Sequence, residues 1–369
     1  MTSYVPPLTA PGAGSGHDPA APSEGLLFLD RAAVRACAGT IDPVEAVESV
    51  LRAHAAGHTG LPAEGYLPWT NAEGAYCRSI AMLGAVGGPG STAYGMKLIN
   101  AATSNPGLGR ERAGGCTFLF DPETARPVVL AEAAYLSALR TAAYTMSSLR
   151  HLGPPEFAEV TLIGCGAQAR SHAELLARYF PAVRALHVHD LLPARTAAFA
   201  DWVRASGLPF TVTAHERPER AAAASPVVIT VTVSDAGYLD ASALRPGSFV
   251  AHVSLDDLRP DVFDRAEAVF VDDVTLVREN PRRVLGRLMA EGRVLPPGAG
   301  AGADGATVLS GTLGDVLTGT VPARRPGRGV VVSNPFGMAV LDVGLLERVF
   351  ARASAEGLGT RLDLIGADR

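Results

Sequence analysis

The sequence predicts an α/β protein in two parts, a doubly wound parallel sheet and an α+β domain. Three observations carry this. The run Val160-Thr161-Leu162-Ile163-Gly164-Cys165-Gly166-Ala167-Gln168-Ala169 takes an apolar strand through a Gly-x-Gly-x-x-Ala turn into a helical segment. From about residue 158 to 290, apolar strands alternate with helical patterns, as a parallel sheet with crossover helices requires. Before that region the chain reads as strands and a hairpin, with one long helix leading into the alternating part.

The 369 residues suffice for two domains with real cores. With 47% hydrophobic and 19% charged residues, the composition is globular rather than disordered. A formal charge of −5 offers no electrostatic footprint for nucleic acid or anionic lipid. No apolar run is long enough to span a bilayer, and the N-terminus lacks a secretory pattern, so a cytoplasmic protein is expected. Cys37, Cys77, Cys116 and Cys165 lie far apart, without the paired short spacing of a zinc site, and read as reduced thiols. His187 and His189 alternate along one strand and share a face, where a metal pair and plain packing both fit. No metal is assigned.

Residues 1–23 are rich in Pro, Gly, Ala and Ser and read as a mobile tail. Leu27-Phe28-Leu29 is a short strand. Asp42-Pro43 opens a helix through Val47, Val50 and Leu51, with Asp42 as N-cap and the proline in the first turn, where its missing N–H costs nothing. Strand-like pieces follow at 79–82 and 94–99. Cys116-Thr117-Phe118-Leu119-Phe120 is a strand, Asp121-Pro122-Glu123-Thr124 a turn, and 127–131 the returning strand of a hairpin. A helix from about 134 to 152 carries Leu136, Leu139, Ala143 and Met146 on one stripe. The parallel strands are expected at 160–163, 185–189, 210–213, 227–232, 249–253 and 268–271. Pro296-Pro297-Gly298-Ala299-Gly300-Ala301-Gly302-Ala303 is a flexible loop or linker. A last strand at 329–333 passes through Asn334-Pro335-Phe336-Gly337 into a helix from 338 to about 356. That closing segment is expected to return to the first domain, giving one domain of 24–157 with 330–369 and another of 158–329.

The glycine turn carries the first functional reading. Gly164 permits the tight turn, Gly166 lets the backbone approach a pyrophosphate, and Ala169 lets the helix pack close to the strand. At Ala167 and Gln168 the helix N-terminus turns free N–H groups and partial positive charge toward phosphates. Asp190 ends the next strand, 26 positions after Gly164. There an acid accepts hydrogen bonds from an adenosine ribose and repels a 2′-phosphate, so NAD is expected rather than NADP. Arg195 is close in sequence and could rescue a 2′-phosphate by swinging inward.

Four polar residues interrupt apolar segments. Lys97, in Tyr94-Gly95-Met96-Lys97-Leu98-Ile99, needs a partner or a lowered pKa if the strand is buried, or snorkels to water if it is an edge. Arg140 lies mid-helix and Arg78 precedes Ser79-Ile80-Ala81-Met82; each taken alone fits a surface ion pair or a ligand clamp. Asp257 follows His252-Val253-Ser254-Leu255 at a strand end, on the side of an open sheet where ligands bind.

In order and context, Gly95-Met96-Lys97, Phe120-Asp121-Pro122-Glu123-Thr124, Ala138-Leu139-Arg140-Thr141-Ala142-Ala143 and the glycine turn resemble the ornithine cyclodeaminase/mu-crystallin family. The resemblance covers nearly everything from Leu26 onward. Within the family, Val231-Thr232-Val233-Ser234-Asp235, Val253-Ser254-Leu255-Asp256-Asp257 and Asn334-Pro335-Phe336-Gly337-Met338-Ala339 are most similar to the N-(2-amino-2-carboxyethyl)-glutamate dehydrogenases of 2,3-diaminopropionate biosynthesis. It implies that Arg78, with Met82 nearby, binds a substrate carboxylate, and that Lys97 contacts the substrate and the reacting water or amine. Arg140 would lie near cofactor phosphates or that carboxylate, and Asp257 would be the acid/base beside the reacting carbon. Thr141, Thr232, Val233, Ser254 and Asn334 are implied as cofactor contacts, beside the turn residues, Asp190 and Arg195. A homodimer through the first domain is implied as well.

The implied activity is NAD-dependent oxidation of a C–N bond in an N-substituted amino acid, then imine hydrolysis to a 2-oxo acid and an amino acid such as 2,3-diaminopropionate. A cyclodeaminase or ketimine reductase is the alternative enzyme. A non-catalytic small-ligand binder is the alternative of another class, since the family includes a hormone-binding lens crystallin. Lys97 together with Asp257 argues for catalysis, because binding alone needs no acid/base pair. One departure concerns substrate: Glu64 and Pro68 stand where positive charge would serve a molecule with several carboxylates, which points to a smaller or less acidic one.

Overall fold

Asp30 and Asp42 fix where the first helices start. In the computed structural model, which describes residues 25–88, 91–300 and 305–364, β1 (Gly25–Leu29) leads through Asp30 into α1 (Arg31–Gly39). Asp30 accepts from the Ala33 amide, and Asp42 accepts from the Val44 and Glu45 amides to cap α2 (Pro43–Ala55). Antiparallel strands follow: β2 (Thr59–Gly60), β3 (Gly65–Thr70), β4 (Tyr76–Gly88), β5 (Ser91–Ala102), β6 (Ala113–Phe120) and β7 (Pro127–Glu132), and then α3 (Ala133–Leu152). The expected tail at 1–23 and the Ala301-Gly302-Ala303 end of the expected linker lie outside the described residues.

Next come β8 (Glu159–Ile163), α4 (Ala167–Tyr179), β9 (Ala185–His189), α5 (Pro193–Ala205), β10 (Thr211–Ala214), α6 (Pro218–Ala222), β11 (Val227–Thr230) and β12 (Phe249–His252). After these lie α7 (Pro260–Asp264), β13 (Ala266–Val271), α8 (Val274–Glu279), α9 (Val284–Ala290), β14 (Val294–Leu295), β15 (Thr307–Val308), β16 (Gly311–Thr312), α10 (Leu313–Thr318) and β17 (Val330–Asn334). The chain closes with α11 (Ala339–Glu356) and β18 (Thr360–Asp363).

Two compact units result, Met1–Arg140 with Met338–Arg369, and Thr141–Gly337. The first sheet runs β18-β1-β7-β6-β5-β4-β2, with β3 added on β4. Here α11 packs on β4, β5 and β6 and on α1 and α2. Gly84 and Gly95 are cross-strand partners beneath it. A Cβ on Gly84 would meet the Val340 backbone at 3.1 Å, and one on Gly95 the Val343 side chain at 2.9 Å, so this pair sets how closely the helix approaches. The rows alternate in face. Met82–Lys97–Thr117–Ala131 and Gly84–Gly95–Leu119–Val129 lie toward α11, and between them Leu83–Met96–Phe118–Leu130 points the opposite way. Leu67, Trp69 and Leu83 on that outward face are 64, 45 and 45% exposed.

The second sheet is parallel throughout, in the order β10-β9-β8-β11-β12-β17-β13-β16. Its strand order reverses direction between β8 and β11, the switch point beside which open α/β sheets bind ligands. The expectation that everything from residue 330 returns to the first domain needs correction. Strand β17 is fully embedded between β12 and β13, because Val331 and Val332 are apolar enough to be covered on both faces. The return begins at Met338. The other boundary lies inside α3, after Arg140, rather than at 158. No described helix is long and apolar enough to cross a membrane.

Candidate active site

The glycine turn follows β8 in the second unit. Gly164 has φ +98, and a Cβ there would meet the Val231 carbonyl oxygen at 2.7 Å, so only glycine fits. Gly166 is the N-cap residue of α4 and has nothing within 4 Å of a built Cβ, leaving its backbone open to an incoming phosphate. Ala167 and Gln168 form the first turn beyond it, and Ala169 is fully buried against the sheet. Asp190 accepts the Cys165 amide on Oδ2 at 2.9 Å and the Leu192 amide on Oδ1 at 3.0 Å. It remains partly exposed, so each oxygen keeps a lone pair for a ribose hydroxyl. Arg195 is exposed on α5. Burial and the Asp190 charge push the Cys165 thiol up to about 12, which makes it an inert filler of the turn. This set fits a dinucleotide.

The ends of β11 and β12 carry the remaining expected contacts of that unit. Asp257 is 0% exposed and accepts from Thr232 Oγ1 at 2.5 Å, from the Tyr238 hydroxyl at 2.7 Å and from Ser254. Burial alone would raise its pKa. The adjoining His252 imidazole and the Ser254 and Thr232 hydroxyls outweigh burial and hold the carboxyl well below the usual range. Held as a carboxylate, Asp257 is in the form that accepts a proton. It ties together the loops after β11 and β12, including Leu255 at φ 76.

His252 Nε2 lies 3.0 Å from the Asp257 amide nitrogen and 3.5 Å from its carboxylate, and Nδ1 lies 3.0 Å from Asn334 Oδ1. Asn334 Nδ2 donates to the His252 carbonyl. Asn334 is fully buried, with one hydrogen bond at each end of its amide. Val233, by contrast, is 62% exposed and presents apolar surface at the strand end. Thr141, early in this unit, is 7% exposed, and its carbonyl accepts from Thr145. His187 and His189 both bond to His215, the first ring to ring at 3.0 Å and the second to its carbonyl, so packing accounts for them.

In the first unit, Lys97 is 2% exposed and donates from Nζ to Asp342 Oδ2 at 2.8 Å. Arg140 Nε lies 3.2 Å from the same oxygen, and Arg140 Nη2 reaches Ser137 at 3.4 Å. Met82 is the cross-strand neighbour of Lys97 and packs with Ile80 and Ala339. Arg78 lies on the same face of β4, four residues along, and makes no hydrogen bond or ion pair among the described residues. Burial lowers the Lys97 pKa and Arg140 adds to that, while Asp342 and Glu64 oppose it. Thr117 Oγ1, across the strand from Lys97, and Asp342 Oδ1 are buried without a hydrogen-bond partner. A polar ligand would satisfy both.

Asp342 escaped the sequence reading because it looks like a stray acid on an amphipathic helix. One signal could have pointed to its partner: Lys97 is the single lysine of the chain, against 31 arginines. Tyr238 and His252 were also missed, having no spacing that sets them apart.

Residues 27–357 match the ornithine cyclodeaminase/mu-crystallin family. N-((2S)-2-amino-2-carboxyethyl)-L-glutamate dehydrogenase of Staphylococcus aureus (strain NCTC 8325 / PS 47) is 29% identical over 343 residues, spanning 92% of this chain and 98% of that protein. The crystal structure of CmnK is similar at TM-score 0.87 and 64% identity, covering 94% of this chain and 100% of that one. An archaeal alanine dehydrogenase dimer with bound NAD matches at TM-score 0.75 and 22% identity over 92% of this chain and 100% of that one, a likeness of fold.

Proposed function

The chain belongs to the ornithine cyclodeaminase/mu-crystallin family, and from that premise we propose an NAD-dependent oxidoreductase that cleaves an N-substituted amino acid. The observation that carries this reading is the nearly full-length similarity to the staphylococcal dehydrogenase. With N-(2-amino-2-carboxyethyl)glutamate, oxidation at the glutamate α-carbon and hydrolysis of the C=N bond yield 2-oxoglutarate and 2,3-diaminopropionate.

When bound, NAD would supply the hydride acceptor for the carbon that bears nitrogen. Gly164, Gly166 and the first turn of α4 would hold its pyrophosphate, and Asp190 would hold the adenosine ribose. Arg78 and Arg140 hold substrate carboxylates through planar, paired N–H donors, which fixes the α-carbon. Lys97 carries the proton exchanged when water adds to the imine carbon and the amine departs. Asp257 keeps the loops after β11 and β12 in place and remains a carboxylate.

Two cations share one carboxylate in the Lys97 cluster, an excess of positive charge suited to an anionic substrate. Glu64, whose charge is felt at Lys97, favours the second reading, a less acidic substrate handled by a cyclodeaminase or ketimine reductase. The outward row Leu83–Met96–Phe118–Leu130 supports a homodimer through the first sheet.

Mass spectrometry of products from N-(2-amino-2-carboxyethyl)glutamate and NAD tests the proposal. One NADH, one 2-oxoglutarate and one diaminopropionate per turnover are expected. Ammonia release from ornithine or lysine without net NADH would replace it with the cyclodeaminase reading, and ligand binding without any turnover would sink both.

A further inference from the structure

We infer that Asp342 is a positioning residue of the substrate site, whose carboxylate holds the chain's one lysine, Lys97, as an ammonium with a fixed direction. The inference rests on the reading of Lys97 as a group that meets substrate.

Every cationic side chain in this protein is arginine except one. Arginine stays charged in any protein setting, whereas a lysine ammonium is compact and can give up its proton. The exception sits where such a proton would matter: mid-strand, 2% exposed, with Nζ 2.8 Å from Asp342 Oδ2. Asp342 is itself 0% exposed on the apolar face of α11, between Leu341 and Val343. Burying an ion pair is a poor route to stability, since apolar residues of similar volume often serve as well or better. The pair therefore needs another reason.

The groups facing Lys97 supply one. Asp342 approaches from α11, Arg140 from α3 and Glu64 from the loop before β3. Desolvation and Arg140 drive the lysine toward the neutral amine, and Asp342 is the largest opposing influence. Its place in the first turn of α11 adds the favourable end of the helix dipole, which keeps the carboxylate ionised. The contact also aims Nζ, because a charge-assisted bond to a rigid helix restricts an otherwise flexible stem. Oδ1 is left without a partner, and a substrate N–H can donate to it.

The single lysine makes the test direct. Full-length protein grown with ¹⁵N-lysine gives one side-chain resonance, and titrating it needs no substrate. In the wild type at pH 7 it should be an ammonium; a neutral amine there overturns the inference without any variant. In Asp342→Asn its midpoint should fall by one pH unit or more, with NADH affinity unchanged within twofold. An unmoved midpoint overturns the inference. With any substrate the enzyme turns over, the alkaline limb of kcat/KM should move down with the resonance in Asp342→Asn and be partly restored in Asp342→Glu. A uniform loss of rate with an unmoved limb would mean a merely structural residue. A shifted resonance in a protein that turns over no N-substituted amino acid would instead sink the proposed function and leave Asp342's hold on Lys97 standing.

Discussion

Asp190 Oδ2 accepts the amide N–H of Cys165 at 2.9 Å, so the acid proposed to read the ribose is also a strut of the glycine turn. NAD should bind on the order of a hundredfold more tightly than NADP, because a carboxylate facing a 2′-phosphate costs several kcal/mol. Asp190→Asn keeps an acceptor for Cys165 and should narrow that ratio about tenfold, whereas Asp190→Ala should weaken both cofactors. Fluorescence titrations measure this, and equal dissociation constants in the wild type would refute the ribose assignment.

The two glycines of the turn should fail differently. Gly164→Ala meets a positive φ and the Val231 carbonyl, costing about 2–3 kcal/mol of stability and most of the cofactor affinity. Gly166→Ala has open space for its methyl, so the melting temperature should hold while NADH affinity drops tenfold or more. Thermal melts beside NADH titrations separate these, and a Gly166→Ala protein with wild-type affinity would remove the pyrophosphate from that position.

Kinetics should split the substrate residues. Lys97→Ala should lower kcat by roughly two to four orders of magnitude with NADH affinity intact. Arg78→Ala should mainly raise KM, having removed a clamp used in ground and transition states alike. Asp257→Asn should cost turnover and NADH affinity together, because it loosens the loops after β11 and β12. If Asp257→Asn lost turnover alone, the acid/base role would stand.

His172 is fully buried, with Nδ1 2.8 Å from the Gln168 carbonyl and Nε2 3.0 Å from Thr145 Oγ1. Burial lowers its pKa from 6.5 to about 4. Between those values the unfolded chain takes up a proton that the folded one refuses. Its contribution is therefore full above pH 6.5 and lost progressively toward pH 4, about 3 kcal/mol in all. Melting curves from pH 7 to 4 should fall less steeply in His172→Gln than in the wild type. Parallel curves would show that the acid loss lies elsewhere.

Leu83→Glu or Phe118→Glu places a charge in the outward apolar row of the first sheet and should convert a dimer to monomers. Sedimentation at micromolar concentration reads this directly. A wild-type monomer would refute the dimer.

Much of this was written locally in the chain. The N-cap at Asp42 and the hairpin around Asp121 are set by capping or turn bonds within a few residues, and the Gly164–Asp190 fingerprint spans a single strand–helix–strand unit. The central parallel strands β8, β11, β12, β13 and β17 were legible because their apolar runs are nearly continuous. Sequence periodicity could not say which sheet a strand joins: β17 follows a long excursion and inserts between two earlier strands, a choice made by burial on both faces. The same holds for the site. Lys97 stood out as a charge in an apolar strand, but its partner lies 245 positions away on another element. Asn334 and Asp257 carried polar side chains at strand ends, and only packing revealed that hydrogen bonds inside the protein already engage them. Local chemistry decides conformation, whereas the partner of a buried polar group is fixed by whichever distant element the closed core brings against it.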